Sequence, residues 1–414
     1  MKVAILGYGK EGKAAEKYFL EHGEAVEVFD NFTSEDLNKI DFSEYDLVLR
    51  SPSVHPREGF SSMTKYFFEK CPAPIIGVTG TKGKGTTCSL ITEILRALGK
   101  KVYLVGNIGN PAIDVLDGLT PEDVVVYEMS SFQLWDLTVS PEVAVVLRVE
   151  ADHLNVHDGF DDYVGAKGNI AKYQTTSDTL VYFKNNKWSV KIAEKSPAAK
   201  LAYPIEPLPV KIRELLDKLG VPGEHNKENA EAALLAVSGL VKMPAEMIVE
   251  ENYDALARVF RDFKGLPHHI EFVRNLNGVD YYDDSFSASY PSLEVAVKAF
   301  EDRPVVLIAG GKDRGLDLGP EKKAIFGAPN LAKAMLIGET RQKLADGEPV
   351  EKYLLVNTLE KAVILARGEA EQIAKSGKRV RPVVLLSPGA ASFDMFRDFY
   401  DRGEQFKRIV EGMK

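Results

Sequence analysis

The stretch Gly80-Thr81-Lys82-Gly83-Lys84-Gly85-Thr86-Thr87 constrains this chain more than any other. A short apolar run, Ile75 to Val78, precedes it and reads as a buried strand. Cys88 to Leu98 follows, with apolar residues at helical spacing. A glycine-rich turn between strand and helix aims several backbone N–H groups at one point, and the helix N-terminus adds partial positive charge there. Lys84 adds a full charge, and Thr86 or Thr87 offers a hydroxyl to a Mg²⁺ ion. Residues Gly80, Thr81, Lys82, Gly83, Lys84, Gly85 and Thr86 therefore predict a triphosphate cradle. The spacing departs from the usual Gly-x-x-x-x-Gly-Lys-Ser/Thr pattern. Val78 stands where the first glycine would be, and Gly85 directly follows the lysine.

Around this turn, apolar runs alternate with amphipathic helical patterns, which predicts α/β architecture with mainly parallel sheets. A length of 414 residues exceeds one ordinary core. The chain opens with a strand, Val3 to Leu6, then Gly7-Tyr8-Gly9-Lys10-Glu11-Gly12, a helix to about His22, and a strand Ala25 to Phe29 ending at Asp30. This has the form of a dinucleotide-binding fingerprint, although its glycines suit any tight strand-to-helix turn. Cys71-Pro72-Ala73-Pro74 reads as a linker, and Gly265-Leu266-Pro267 as a second. Three domains are expected, over residues 1–73, 74–265 and 266–414. Further central strands are expected at Val102 to Val105, Val124 to Tyr127, Val143 to Leu147 and Thr179 to Phe183, with a helix over Asn226 to Leu240. The last block has strands at Val279 to Tyr282, Val305 to Ala309, Ala334 to Ile337, Tyr353 to Val356 and Val383 to Leu386.

A net charge of −9 argues against general binding to nucleic acid or an anionic membrane, so anionic substrates need local sites. Two cysteines, Cys71 and Cys88, provide neither a disulfide framework nor a cysteine metal cage. The first residues form a strand and not a signal peptide, and no apolar run approaches the ~18 residues of a membrane span. The expected location is the cytoplasm.

Glu128 ends a strand beside the phosphate turn, where parallel-sheet enzymes place reactive groups. A carboxylate there suits Mg²⁺, a hard ion that takes oxygen ligands. Another strand leads to Glu150-Ala151-Asp152-His153 and on to His157. The zinc-protease pattern is absent. His153 beside Asp152 fits an auxiliary Mg²⁺ or substrate contact, and His157 a packing or solvent-facing role. Lys167, near the start of a predicted helix, reads by itself as a solvated charge. Asn226 and Asn229 share a helix face, and Asn226 alone would serve as an N-cap.

In this order the pieces resemble the Mur ligase family over essentially the whole chain. The resemblance rests on Gly106-Asn107-Ile108-Gly109, Glu128-Met129-Ser130-Ser131-Phe132-Gln133-Leu134, and Asp152-His153 followed by Tyr163 to Lys167. It continues through His225-Asn226 with Asn229, Gly265-Leu266-Pro267-His268, Asp284-Ser285, and Leu386-Ser387-Pro388 on to Ser392 and Asp394. It implies a Rossmann-like UDP-binding domain, a central P-loop ATPase and a Rossmann-like amino-acid domain. The implied reaction is ATP-dependent joining of D-glutamate to UDP-N-acetylmuramoyl-L-alanine, by a chain expected to be a monomer. The UDP end of that substrate would face Gly9, Lys10, Glu11, Asp30, Asn31, Ser51 and Ser53, with Asn107, Gln133 and His153 along its tail. Thr86, Glu128 and His153 would serve two Mg²⁺ ions, together with Lys167 carbamylated by CO₂. Asn226, Asn229, His268 and Asp284 would contact the nucleotide. Ser392, Phe393 and Phe399 would frame the amino acid.

Departures from the family pattern fall mainly in the last block. The family's Asp-Ser-Lys motif, followed by small residues and threonine, reads here Asp284-Ser285-Phe286-Ser287-Ala288-Ser289, without the lysine or the threonine. Arg314 stands where the family has lysine, and His269 where it often has arginine. Arginine offers a planar fork and not a point charge, so Arg314 is the expected grip on the acceptor's distal carboxylate.

Overall fold

Runs of Val, Ile, Leu and Ala too short for helices become strands covered on both faces. The computed structural model describes residues 1–153, 156–376 and 380–414. It contains three sheets. The first is built from β1 (Lys2–Leu6), β2 (Ala25–Phe29), β3 (Leu47–Arg50) and β4 (Ser61–Ser62), in the order β2-β1-β3-β4 and parallel throughout. The second holds β5 (Ile75–Thr79), β6 (Val102–Gly106), β7 (Val124–Glu128), β8 (Val143–Val146), β9 (Thr179–Phe183) and β10 (Ala199–Tyr203). Its order is β10-β9-β8-β5-β7-β6, again all parallel. β5 thus lies mid-sheet, where the strand order turns back, and its carboxyl end carries the phosphate turn.

The third sheet holds β11 (Glu271–Leu276), β12 (Val279–Asp283), β13 (Val305–Ala309), β14 (Leu331–Leu336), β15 (Tyr353–Leu355) and β16 (Val383–Leu386), in the order β11-β12-β16-β13-β14-β15. All its pairs are parallel except β11 with β12. That antiparallel hairpin turns through Asn277 and Gly278, at φ +53 and +80. An Asn-Gly pair is the residue choice for such a turn, and it is a sequence signal that the expected strand set left unused. Residues 1–218 with 227–261 form one compact unit, and 219–226 with 262–414 another. The break before Asp262 falls ahead of the expected Gly265-Leu266-Pro267 linker. Among the described residues, no single helix is long and apolar enough to cross a membrane.

One buried charge helps fix the first sheet in place. Arg50 ends β3 fully buried. It donates from Nε and Nη2 to Asp136 at 2.8 and 2.5 Å, from Nη2 to the Phe132 carbonyl at 3.1 Å and from Nη1 to the Val54 carbonyl at 3.0 Å. Breaking such a pair leaves an uncompensated carboxylate. Arg50→Ala is therefore expected to cost about 3–5 kcal/mol, read as a lower denaturant midpoint. An unchanged midpoint would show the pair to be dispensable.

Candidate active site

The turn after β5 is shaped by backbone geometry. Gly83 caps the helix Lys84–Ala97 in the left-handed region, with φ +87, and a Cβ there would lie 2.4 Å from Asn229 Oδ1. Only glycine fits both the angle and the space. The helix consequently begins at Lys84, four residues before the expected Cys88, which puts Lys84 in its first turn. Thr81 anchors the loop: its hydroxyl donates to the Glu150 carbonyl at 3.1 Å, accepts from Glu150 N at 2.9 Å and lies 3.0 Å from the Tyr163 hydroxyl. Lys82 is exposed, Gly85 is buried and Thr86 is half-buried.

Two lysine amines meet under this turn. Lys84 Nζ donates to the carbonyls of Gly80 and Thr81 at 3.1 and 3.2 Å. Lys167, on the helix Phe160–Lys172, donates to the same Gly80 carbonyl at 2.9 Å and to Thr79 Oγ1 at 3.3 Å. Its Nζ also lies 4.8 Å from the centre of the Tyr163 ring. Lys167 is only 2 % exposed, which corrects the reading of it as a solvated charge. Burial drives its amine well below the ordinary lysine range, and the neighbouring Lys84 pushes the same way. Burial also lowers Lys84, opposed chiefly by the charge of Glu128.

Glu128 ends β7 and is buried, and its carboxyl is pushed up by burial against the pull of Lys84. Its Oε2 and the buried Thr87 Oγ1 have no hydrogen-bond partner. A carboxylate oxygen and a hydroxyl left over beside a phosphate turn form a donor set that suits a hard divalent cation. Thr87, and not only Thr86, is thus a candidate ligand. Asn107 N donates to the Glu128 carbonyl at 3.3 Å.

His153 lies half-exposed, with φ +54, 3.7 Å from Asp152 and edge-on to Phe132. His157 is a packing residue, bonded to Asp162 at 2.7 Å and Ser131 at 2.9 Å and stacked on Phe132. Asn226 is not an N-cap, because its helix begins at Glu224, and its amide donates to the Pro222 carbonyl at 2.7 Å.

At the first glycine turn, Gly9 caps the helix Lys10–Glu21 facing open space. Asp30 accepts from Tyr8 N at 3.1 Å and from the Asn31 amide at 3.3 Å. Ser51 and Ser53 hydroxyls lie 3.1 Å apart, and Lys10 donates to the Gly109 carbonyl at 2.9 Å. Gln133 is fully buried. It donates to Glu11 at 2.8 Å and accepts from Ser130 N at 2.9 Å, so these two expected substrate groups pair with each other.

In the other unit, loops after β12, β13 and β16 meet at strand carboxyl ends. Asp284 is buried, accepting from Ser387 at 2.7 Å and Ile270 N at 3.2 Å, and burial pushes its carboxyl up to about 8. His268 is buried with Nδ1 on Asp283 at 2.7 Å. Among the described residues, His268, Glu271 and Asp283 form the one group of three His, Cys, Asp or Glu ligand atoms within 4.8 Å of one another. These atoms already have partners: His268 Nδ1 pairs with Asp283, and Glu271 accepts from the His268 backbone N–H at 2.9 Å and from Lys407 at 3.2 Å. Arg402, absent from the sequence-based expectations, is buried and braces these loops through Ser285 and the Ala390 carbonyl. Arg314 is exposed and donates to the Ala288 carbonyl at 3.3 Å. Ser392 is buried, while Phe393 is 70 % exposed. Phe286 stacks on His269 with ring centres 4.1 Å apart and meets Phe399 edge-on at 5.0 Å.

These are the parts of a nucleotide-using α/β enzyme, and known proteins agree. Residues 78–207 match the Mur ligase middle domain. The chain is 32 % identical to the UDP-N-acetylmuramoylalanine--D-glutamate ligase of Clostridium kluyveri, covering all of this chain and 97 % of that protein. The enzyme of the same name from Clostridium tetani is also 32 % identical, with the same coverage. Among solved structures, MurC of Thermotoga maritima, a UDP-N-acetylmuramate-alanine ligase, shares the fold at a TM-score of 0.58 and 16 % identity over the full length of both chains. Escherichia coli FolC in complex with ADP does so at 0.56 and 16 % identity, over 84 % of this chain and 92 % of that one. The chain belongs to the Mur ligase family, whose members carry out ATP-dependent ligation in peptidoglycan precursor synthesis.

Proposed function

We propose that this protein joins D-glutamate to UDP-N-acetylmuramoyl-L-alanine in the cytoplasm, with ATP converted to ADP and phosphate. The observation that carries the reading is the phosphate turn, with two buried lysine amines and an unpartnered Glu128 oxygen around one helix N-terminus. Full-length relatives that bear the name of this reaction supply the substrates.

A carboxylate is a poor electrophile, so it must be activated. The substrate's terminal carboxylate attacks the γ-phosphoryl group of ATP, ADP leaves, and an acyl phosphate forms. The acceptor's amine then attacks the acyl carbon, and phosphate leaves the tetrahedral adduct. Charge spreads over the transferring phosphoryl oxygens, and Lys84 with the backbone N–H groups of residues 83–87 would neutralise it. Glu128 with Thr86 or Thr87 would hold a Mg²⁺ ion, which would supply further positive charge to the reaction when bound. A carbamate on Lys167, with His153 nearby in sequence, would serve a second Mg²⁺. Asn226, Asn229, His268 and Asp284 are assigned to the nucleotide, and Gly9 to Glu11, Asp30, Asn31, Ser51, Ser53, Asn107 and Gln133 to the UDP substrate. A UDP-binding domain over residues 1–73, an ATP-binding domain over 74–265 and an amino-acid domain over 266–414 are part of the same reading.

Phosphate release, measured with the UDP substrate across a panel of D- and L-amino acids, tests the assignment. D-Glutamate is expected to lead in kcat/KM. A basic or apolar amino acid ahead of it by about tenfold, the scale of 1.4 kcal/mol, would overturn the acceptor while leaving the chemistry intact. Arg314 is assigned to the distal carboxylate. Arg314→Ala is expected to raise the D-glutamate KM about 10-fold or more by loss of a charge-assisted pair, with the ATP KM unchanged. An unaltered D-glutamate KM would remove Arg314 from the site.

A further inference from the structure

Glu321 lies in the first turn of the helix Gly319–Phe326, just beyond the loop that carries Arg314. It is 5 % exposed, and its Oε1 has no hydrogen-bond partner. Burial pushes this carboxyl up to about 7, and the charge of Arg314 pulls it down. The carboxyl is pressed against Gly389, where a Cβ would lie 2.9 Å from Oε1. Gly389 has φ +68, so glycine alone satisfies both the angle and the approach. Gly389 opens the loop that leads to Ser392. A second unpartnered buried polar atom, the Ser287 hydroxyl oxygen, lies in the loop after β12, next to the Ala288 carbonyl that Arg314 holds.

The topology gives this place meaning. The loops after β12 and β13 lead to helices Tyr290–Lys298 and Gly319–Phe326, which pack on one face of the sheet through Leu293, Val297 and Ile325. The loop after β16 leads to helix Phe399–Gly412, which packs on the other face through Phe406 and Val410. Neighbouring loops that part to opposite faces leave a crevice at the carboxyl ends of the strands, where open α/β sheets bind ligands. Glu321 and Arg314 both belong to the β13 side of that crevice, and Gly389 to the β16 side.

We propose that Glu321 determines acceptor specificity, donating a hydrogen bond as a neutral acid to the distal carboxylate of an acidic amino acid beside the Arg314 guanidinium. An anionic ligand is drawn by Arg314 and holds Glu321 protonated, whereas a cationic ligand would be repelled by Arg314. The proposal rests on the assignment of this unit to the acceptor.

The test compares full-length wild type, Glu321→Gln and Glu321→Leu with D-glutamate and with D-norvaline, which has a methyl in place of the distal carboxylate. Glu321→Leu is expected to lower kcat/KM for D-glutamate by about 10- to 100-fold, the value of a hydrogen bond to a charged group. D-Norvaline kcat/KM and the ATP KM should stay as in wild type. Glu321→Gln keeps a donor and should restore D-glutamate use. The unliganded melting temperature of Glu321→Leu should not fall, because an unpartnered polar group has been replaced by an apolar one. Equal losses on both acceptors would reduce Glu321 to a structural role and overturn the proposal. So would a loss in Glu321→Gln as large as in Glu321→Leu, and that variant decides alone if Glu321→Leu does not fold. A wild-type preference for D-lysine that is abolished in Glu321→Gln would assign the carboxylate to a cation instead. No D-glutamate-dependent phosphate release by wild type would overturn the functional assignment as well as this proposal.

Discussion

Lys84→Ala protein is expected to turn over at least ~10³-fold more slowly than wild type, a barrier raised by about 4 kcal/mol or more. Lys84 is in the first turn of the helix Lys84–Ala97, and its amine is held against the turn by the carbonyls of Gly80 and Thr81. Those bonds aim the charge where phosphoryl oxygens would lie, and burial strengthens its interaction with them. The side chain is not needed to form the turn, whose shape comes from Gly83 and from the anchoring of Thr81 to residue 150. The variant should therefore fold with a near-normal melting temperature, and the loss should fall mostly on kcat. Lys84→Arg should recover little, since a guanidinium is larger and planar. Steady-state phosphate release at saturating ATP measures the effect. Turnover within tenfold of wild type would remove the phosphate turn from the chemistry.

What could be read from the sequence followed the range of the interactions involved. Parallel strands such as β5, β13 and β16 are continuous apolar runs because both faces are covered, and a run of that kind shows in four or five letters. The phosphate turn is equally local, a strand, glycines and a helix within one short stretch. β3 and β10 pass less visibly, because Arg50 ends the first and Lys200 interrupts the second. Arg50 and Arg402 look like surface charges in sequence. Their burial depends on acceptors 86 and 117 residues away, at Asp136 and Ser285, which no spacing rule connects. Lys167 is the same problem at the site itself. Its helix is legible, but which face of that helix lies against the Gly80 turn is decided by tertiary packing. Glu321 was invisible for a related reason, since an acid in the first turn of a helix ordinarily faces solvent and complements the dipole.

Lys167→Ala protein is expected to be inactive, and to regain partial activity with added formate or acetate. CO₂ reacts with a neutral amine, and the fold supplies one: burial and the adjacent Lys84 hold the Lys167 amine well below the ordinary lysine range. Carbamylation replaces a charge that repels Mg²⁺ with an anion that can ligate it. Removing the side chain should leave the fold intact, because the Gly80 carbonyl keeps its bond from Lys84 at 3.1 Å. It also removes a proton linkage of known sign. The folded chain disfavours the ammonium form, so it binds fewer protons than the unfolded chain, and Lys167 makes stability rise with pH up to the ordinary lysine value of 10.5. Lys167→Ala should lose that contribution and gain stability most at low pH, which shows independently of activity that the buried amine was disfavoured in its charged form. Wild-type rates should fall in CO₂-depleted buffer and return with bicarbonate, whereas the variant should respond to carboxylates and not to bicarbonate. Full activity in Lys167→Ala, or an active wild type in which mass analysis under CO₂ finds only the plain lysine, would leave Lys167 as a buried amine without a part in binding the metal.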